Sequence, residues 1–288
     1  MSNKVYEIVT EKMIAKIEEA IKNHEVLPWQ KPWTGGGKPM NWVSRKAYRG
    51  INLWLLEPGE YITWNQLCDE QKKNRAVHLR KGSKASMVVY FNFKDHATTN
   101  DDGEIEMRRI PFLRYYNVYN IRDVDGLEPR RQGKTYDHDP IEEAERISSG
   151  YVNREGIRLC TEGEDAHYAP GKDEIVVPNM RRFKELGEYY SALFHEMVHS
   201  TGHTSRLNRL STTAFFGNEE YSKEELVAEM GAAMLCGEVG ILNVTADNSA
   251  AYLQNWLNAI KADPTMLVSA GSKAQKAVDY ILGNEGEA

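Results

Sequence analysis

The chain has 288 residues, 27% of them charged, and a formal net charge of −6. This length allows two domains of ordinary size, each with its own core, and the composition is that of a globular protein. No apolar run approaches the length needed to cross a bilayer, and the first residues, MSNKVYEIVTEKM, are charged and periodic, unlike a secretion signal. The sequence therefore predicts a cytoplasmic protein with no membrane partner.

Charge is distributed unevenly along the chain. Residues 1–136 contain 23 Lys+Arg and 17 Asp+Glu, a balance of +6, whereas the remaining residues contain 13 and 25, a balance of −12. A positive half attracts phosphate, while an acidic half is unsuited to binding nucleic acid over a broad face. We therefore expect the two halves to have different partners.

The three cysteines, Cys68, Cys160 and Cys236, lie far apart and in no C-x-x-C arrangement. An odd number of widely separated cysteines indicates neither a disulfide framework nor a thiolate metal site. We expect them to be reduced residues that contribute to packing.

Residues 1–126 are predicted to form the first domain, of α+β class. Apolar residues at helical spacing indicate a helix over about the first 23 residues, followed by a turn-rich loop at 28–37. Thr63 and Gln66 have the spacing of a capping box and start a short helix to about Lys73. A small antiparallel sheet is predicted from strands around the basic turn 80–84 and from a further strand pair, namely Ala76–Leu79, Ser86–Phe93 and Met107–Ile121.

Residues 127–139 are the predicted interdomain linker, because they combine Pro129 and Gly133 with many charged residues. Residues 140–288 are predicted to form the second domain, which begins with a helix from Pro140 to Ser148. Further strands and helices of this domain are predicted at Ile157–Cys160, His167–Pro178, Asn248–Lys261 and Ser272–Leu282. The whole chain is thus predicted to be an α+β protein with two domains.

The most informative stretch is Leu193–His203, LFHEMVHSTGH. His195 and His199 are four residues apart and therefore share one face of a helix, about 6 Å apart along its axis. Two imidazoles at this spacing suit a tetrahedral zinc ion, and Glu196 is placed to act as general base toward water that the metal acidifies. Apolar neighbours bury this helix, and buried histidines and glutamates need partners.

A zinc ion held by protein needs a third ligand, and three residues are candidates. His203 would stand about 12 Å from His195 on an unbroken helix, which is too far, so we place it outside the ligand set, either behind the ligands or in the cleft wall. Glu225 follows Ser222 at capping-box spacing and is expected to cap a helix. Glu229 lies one turn further, among apolar residues where an unpaired carboxylate is costly, and is preferred over Glu225. The predicted ligands are therefore His195, His199 and Glu229.

Residues 40–94 interleave aromatic and basic side chains, with ten Lys+Arg against four Asp+Glu. Single-stranded nucleic acid is bound by cationic grooves that follow the phosphates and by aromatic faces that stack on bases. In the alternative interpretation these aromatics fill a small core, as is expected of Trp54, while the lysines stay solvated. The predicted nucleic-acid contacts are Trp42, Arg45, Lys46, Tyr48, Arg49, Lys81 and Lys84.

Several short motifs follow one another along the chain. They are Pro28-Trp29 with Pro32-Trp33, Tyr48-Arg49-Gly50-Ile51-Asn52, Thr63-Trp64 with Gln66, Arg80-Lys81-Gly82, His195-Glu196 with His199-Ser200-Thr201-Gly202-His203, Arg206-Leu207 with Arg209, and Glu224-Glu225-Leu226-Val227-Ala228-Glu229. In this order they resemble the ArdC-type antirestriction proteins. The resemblance extends from about residue 5 to the C-terminus and is far more specific than the two histidines alone.

The resemblance implies an N-terminal single-stranded-DNA-binding domain, of a kind also attached to TraC-type plasmid primases, and a C-terminal zincin-like metallopeptidase domain. Such proteins are carried by conjugative plasmids and similar mobile elements and are expected to protect incoming DNA from host restriction. It also implies the ligands and the catalytic base named above. The expected partners are single-stranded DNA and a protein substrate of unknown identity. The expected ion is Zn²⁺, although Mn²⁺ or another divalent ion suits the same ligands.

Two functions of different class follow from these features. In the first, the protein is a zinc-dependent metallopeptidase that its basic half delivers to proteins on single-stranded DNA. In the second, it shields single strands without catalysis, and its metal only stabilises the fold. Replacing Glu196 by alanine distinguishes them, because this change is expected to leave metal content and DNA binding intact.

Overall fold

The computed structural model of the chain describes residues 2–23, 38–99, 105–130, 139–210, 219–241 and 257–284. The helices in chain order are α1 (Ser2–Lys22), α2 (Asn52–Leu55), α3 (Trp64–Lys73), α4 (Pro140–Glu155), α5 (Leu186–Ser200), α6 (Glu219–Val239), α7 (257–262) and α8 (Met266–Leu282). The strands are β1 (Met40–Asn41), β2 (Glu60–Thr63), β3 (His78–Leu79), β4 (Ser86–Thr99), β5 (Ile105–Asn120), β6 (Val124–Asp125), β7 (Arg158–Cys160), β8 (Glu162–Ala169) and β9 (Glu174–Pro178). This combination of helices and small sheets confirms the predicted α+β class. Among the described helices, none has the length and apolar character needed to cross a membrane.

The largest sheet lies in the N-terminal half and has the strand order β1-β2-β5-β4. Strands β4 and β5 form a long antiparallel hairpin that pairs Ser86 with Val118 at its base. The predicted hairpin around the turn at 80–84 is wrong, because β3 pairs with β6 instead, His78 opposite Asp125. The predicted strand pair at 107–121 is likewise one continuous strand. Among the described strands, only β5, with 16 residues, is long enough to pair with the 14 residues of β4 along their whole length.

Two helix starts follow the local chemistry of the sequence. The Thr63 hydroxyl accepts a hydrogen bond from the Gln66 amide at 3.3 Å, and the Gln66 side chain accepts one from the Thr63 amide at 3.0 Å, so the predicted capping box of α3 is confirmed. Helix α4 begins at Pro140 as predicted, with Asp139 as its N-cap, but continues beyond Ser148 to Glu155. The predicted loop at 28–37, most of the predicted linker and most of the predicted helix at 248–261 lie outside the described residues.

The C-terminal half contains a three-stranded sheet with the order β7-β9-β8, in which β8 is an edge strand. Strand β9 is buried along Glu174–Val177 and runs antiparallel to β8. Helix α5 packs against both of these strands on one side and against α6 on the other. This arrangement places the histidine-bearing helix between a sheet with a free edge and a second buried helix.

One hydrophobic core joins the two halves. It combines α1 residues such as Met13, the predicted core residue Trp54, and the buried faces of α4, α5, α6 and α8. A Cβ atom on Gly271 of α8 would lie 2.9 Å from the backbone nitrogen of Ile51, so only glycine allows this close approach. Arg49 also forms an ion pair with Asp279 on α8. The boundaries predicted at 126 and 139 remain predictions, but the two halves pack closely against each other.

Candidate metal centre and nucleic-acid surface

Helix α5 carries His195 and His199 on the face that contacts α6. Most of the helix is buried, including Phe194 and Met197 beside the histidines. The Nε2 atoms of the two imidazoles are 3.1 Å apart, as the four-residue spacing predicts. Both rings therefore direct the same nitrogen toward one point between α5 and α6.

Glu225 of α6 completes a group of three possible metal ligands. Its carboxylate lies 3.5 Å from Nε2 of His195 and 3.3 Å from Nε2 of His199. Ligand atoms about 2.0–2.1 Å from a tetrahedral metal ion lie roughly 3.3 Å from one another. The 3.5 Å distance is to Oε2 of Glu225 and the 3.3 Å distance is to Oε1, so each carboxylate oxygen faces one imidazole at about this separation. This set of two imidazoles and a carboxylate fits a divalent ion.

Of the two candidate carboxylates, the structure places Glu225 rather than the predicted Glu229 beside the two Nε2 atoms. The prediction assigned Glu225 to a capping box with Ser222, but α6 begins at Glu219, so both residues lie inside the helix and Glu225 has no capping role. Glu229 faces the other side of the His195 ring, with its carboxylate 3.9 Å from Nδ1. The recorded contact of Glu229 is thus with Nδ1 of His195, whereas both Nε2 atoms have recorded contacts with Glu225.

The outer nitrogen of His199 is held by a carboxylate that the sequence analysis did not identify. Nδ1 of His199 donates to Glu224 at 3.3 Å, which leaves the Nε2 lone pair available to a metal. Glu224 in turn accepts two hydrogen bonds from the guanidinium of Arg209, at 2.7 and 2.9 Å. Arg209 also donates to the Val198 carbonyl of α5 at 2.8 Å, so this chain of contacts fixes both helices around the histidine.

The outer nitrogen of His195 has a different environment. Within the described residues, Nδ1 of His195 is a buried side-chain atom with no hydrogen-bond partner. The Glu229 carboxylate is the nearest charged group recorded for it, at 3.9 Å, slightly beyond hydrogen-bonding distance. Each histidine thus has a carboxylate of α6 on its Nδ1 side, Glu224 for His199 and Glu229 for His195.

Ion pairing controls the protonation of this cluster. Burial is the largest influence on His199 and lowers its pKa, but hydrogen bonds to Glu224 and Glu225 raise that pKa well above its ordinary value. The pKa of His195 is raised despite its burial, chiefly by Glu225. Burial raises the pKa of Glu225, yet its hydrogen bonds to both histidines bring that pKa far below its usual range. Protons and a divalent ion therefore compete for the same nitrogen atoms.

The turn after α5 keeps His203 out of the ligand group, in agreement with its predicted exclusion. The chain turns away from the helix axis at Gly202. A Cβ atom there would lie 2.8 Å from the Leu210 side chain and 3.0 Å from the His199 carbonyl, so the turn leaves little room for a side chain. The His203 ring hydrogen-bonds Ser205 at 2.7 Å. The Ser200 carbonyl at the helix end accepts hydrogen bonds from the His203 amide at 3.1 Å and from the Arg206 side chain at 2.8 Å.

Glu196, the predicted base, is buried in the same helix, with 7% of its surface exposed. No hydrogen bond to its carboxylate is found in the part of the chain that the structure describes. Its charge nevertheless raises the pKa of both histidines, after the larger effects of burial and of the carboxylates of α6. A carboxylate without a protein partner next to the ligands is able to hold and deprotonate a water molecule.

The predicted nucleic-acid contacts divide into buried and exposed residues. Trp42 is only 4% exposed and belongs to a satellite core cluster, so the structure does not offer its ring for the predicted stacking. Its indole N–H donates to the Glu128 carbonyl at 2.9 Å, and the Arg130 guanidinium covers its ring at 3.7 Å. The sequence showed an aromatic residue among cations, and only the packing shows that the ring is buried and already carries a cation of the same chain.

Two of the predicted cationic contacts form ion pairs with carboxylates of the same chain. Arg45 pairs with the buried carboxylate of Glu60, and Arg49 pairs with Asp279. Tyr48 is half-buried and packs edge-on against Tyr61, with ring centroids 6.3 Å apart. The lysines among the predicted contacts remain exposed, namely Lys46, Lys81 and Lys84.

The fold and the metal centre define a class of domain. Residues 143–273 match the family described as a zincin-like metallopeptidase, MPTase-PolyVal, and this range includes every residue of the centre. Residues 3–119 match the family described as the N-terminal domain of anti-restriction factor ArdC. A zincin-like domain is therefore joined to an ArdC-type N-terminal domain in one chain.

Similar proteins extend over nearly the whole chain. The metal-free crystal structure of antirestriction protein ArdC from plasmid R388 has a TM-score of 0.70 and 33% identity and covers 97% of each chain, and the Mn(II)-bound structure gives the same values over 98%. An uncharacterised protein, y4eC, of Sinorhizobium fredii is 31% identical over 99% of this chain and 93% of its own length. The chain belongs to the ArdC family of antirestriction proteins.

Two DNA primases named TraC from Escherichia coli also contain a related segment. Each is 31% identical to 97% of this chain, but the matched region is only 20% of one primase and 27% of the other. This chain thus corresponds to about a fifth to a quarter of each primase.

Proposed function

We propose that this protein protects incoming DNA of a conjugative plasmid or similar mobile element from host restriction, by binding single-stranded DNA and cleaving proteins on it at the metal centre. The observation that carries this proposal is the convergence of His195, His199 and Glu225 beside Glu196. Among the described residues the group contains three ligands, and a site with three protein ligands leaves a position for water and substrate, as in catalytic zinc sites.

Zinc is the proposed ion. Two imidazoles and one carboxylate are a typical ligand set for catalytic zinc, but they also accept manganese. The ArdC protein of R388 has been crystallised with Mn(II), which supports a divalent ion in this family. Metal analysis of protein purified without added metal tests this choice. Manganese in place of zinc would change the identity of the proposed ion but not the residues proposed to bind it.

The residues of the chain support peptide hydrolysis in the following way. A bound divalent ion would acidify water and polarise the scissile carbonyl. Glu196 would accept the proton of the attacking water and return it to the leaving amine. Strand β8 is an edge strand of the sheet that the described residues form, and it contacts α5, so an extended peptide can add to it through backbone hydrogen bonds. The substrate is proposed only as an extended segment of a protein.

The experiment that tests catalysis is the substitution Glu196→Gln, which removes the base but keeps the size of the side chain. We expect metal content and single-strand binding to be unchanged, and antirestriction in a conjugation assay to fall to the level of a strain without the protein. Glu188→Gln on the same helix is the matched control, because Glu188 contacts Lys184 rather than the metal centre. Full antirestriction by Glu196→Gln would exclude a catalytic role.

A second candidate function is shielding of single strands without catalysis. It is favoured by the position of the metal centre between α5 and α6 inside the shared core, where an ion would also tie two buried helices together. In this case Glu196→Gln would keep full antirestriction, while His199→Ala would destabilise the protein. The first function is favoured by the three-ligand site and by the Glu196 carboxylate, for which no hydrogen bond is recorded within the described residues.

A further inference from the structure

We infer that single-stranded DNA stacks on one face of the β4–β5 hairpin, an inference that rests on the proposed single-strand binding. Aromatic and basic side chains gather on this face, although none of them was among the contacts predicted from the sequence. The face consists of Tyr90, Asn92, Phe112, Arg114 and Tyr116 and is called the aromatic face below. It replaces Trp42 as the stacking surface of the N-terminal half.

The register of the hairpin places these side chains together. Tyr90 lies opposite Arg114, Asn92 opposite Phe112, and Val88 opposite Tyr116. Directly opposed residues, and residues two apart on one strand, point to the same side of a sheet. The rings of Tyr90 and Phe112 lie 6.4 Å apart in an edge-on arrangement, which confirms that this diagonal pair is in contact.

The aromatic face is open to solvent. Tyr90 is 50% exposed and Tyr116 is 47% exposed, whereas Val88 beneath them is buried at the base of the hairpin. Several exposed aromatics gathered on one surface are typical of binding sites, and bases stack on such rings with little dependence on sequence. Strand β4 is also the edge strand of the described sheet.

Charge on this part of the hairpin favours a polyanion. Residues 86–92 and 112–120 contain no Asp or Glu, although 42 of the 288 residues are acidic. Arg114 makes no ion pair within the described chain, and its guanidinium lies 5.5 Å from the centroid of the Phe112 ring. An unneutralised arginine among exposed aromatics matches the phosphate and the base of one nucleotide.

The opposite side of the hairpin provides an internal control. There Met87, Val89 and Leu113 are buried in the main core. Tyr115 is on this side and is 49% exposed, nearly the same as its neighbour Tyr116. The two tyrosines therefore share residue type, strand and exposure and differ in the face to which they belong.

The test is fluorescence anisotropy of the full chain with a labelled oligothymidylate. We expect Tyr116→Ala and Tyr90→Ala each to weaken binding roughly fivefold to hundredfold, since they remove one stacking partner. Tyr115→Ala should bind like the unmodified protein, and Tyr116→Phe should keep the affinity because the ring remains. Arg114→Ala should lower the slope of log affinity against log salt by about 0.7, the value for one phosphate contact on a single strand.

The possible outcomes distinguish failure of the proposed single-strand binding from failure of its assignment to the aromatic face. Failure of the unmodified chain to bind the oligonucleotide would overturn single-strand binding and this inference together. Binding by the unmodified chain that Tyr115→Ala and Tyr116→Ala weaken equally, or that neither weakens, would overturn only the assignment to the aromatic face. Equal thermal midpoints for the two alanine variants show that folding is unaffected, and Tyr90→Ala serves as the second test if Tyr116→Ala is unstable.

Discussion

The metal centre and the aromatic residues of the N-terminal half differ in what determines their position. His195 and His199 meet at 3.1 Å because four residues of helix bring them to one face, whatever surrounds the helix. Trp42 and Tyr116 are both aromatic residues near cations, yet one is 4% and the other 47% exposed. A pair of histidines on one helix follows from local geometry, whereas a stacking surface depends on which aromatic rings the rest of the protein leaves uncovered.

The metal centre can be tested through its third ligand, where we expect the largest effect. Glu225→Gln should weaken zinc affinity roughly a thousandfold or more, as should the positive control His199→Ala, because each removes a direct ligand. Glu229→Gln should retain about one ion per chain, since its carboxylate lies on the Nδ1 side of His195. Chelator competition measures all three variants. Loss of the ion only in Glu229→Gln would restore the ligand predicted from the sequence.

The contrast between buried and exposed aromatics can be tested by their effect on stability. Trp42→Ala should lower the free energy of unfolding by about 3–5 kcal/mol, because it empties a core position. Trp64→Ala should change it by less than about 0.5 kcal/mol, since Trp64 is 54% exposed. Urea denaturation measures both values. A stable Trp42→Ala variant with weakened DNA binding would show that the ring is a nucleic-acid contact after all.

The contribution of Glu224 to the centre is expected to be smaller. Glu224→Gln weakens the acceptor for Nδ1 of His199 and leaves Arg209 without its carboxylate, so metal affinity should fall roughly 10–100-fold. Glu238→Gln is the control, because Glu238 lies on the same helix but pairs with Lys38. Equal affinities in the two variants would mean that the Glu224–Arg209 contact serves only to hold α5 and α6 together.

The smallest expected effect is the pH dependence of the centre. Folding raises the pKa of both histidines, so their contribution to the stability of the metal-free protein is complete below pH 6.5 and is lost as pH rises through the raised values. Folding lowers the pKa of Glu225, so its contribution is present above pH 4.5 and is lost as pH falls toward the lowered value. Thermal midpoints of the metal-free protein should therefore be highest between these limits.

The metal affinity of the centre should also depend on pH, rising about tenfold per pH unit for each proton that the ion displaces. A metal affinity that does not change with pH would contradict the proposed competition between protons and the ion.

Local signals predicted much of the fold but not its pairing. The capping box of α3 and the start of α4 at Pro140 depend on a few neighbouring residues, and both are confirmed. The partner of β4 depends on strand length and on distant segments, and here the prediction is wrong. The same limit explains the error at Glu225, because the sequence did not show that α6 begins before Ser222.

The sequence by itself determined the two histidines, their spacing on one helix and the family of the protein, because these features depend on residue identity and helical periodicity alone. Only the tertiary structure decided which carboxylate of α6 meets the Nε2 atoms and which aromatic rings face solvent. Both outcomes follow from how separate segments pack. The register of α6 against α5 selects Glu225, and the shared core that covers one side of the hairpin leaves Tyr90 and Tyr116 exposed on the other.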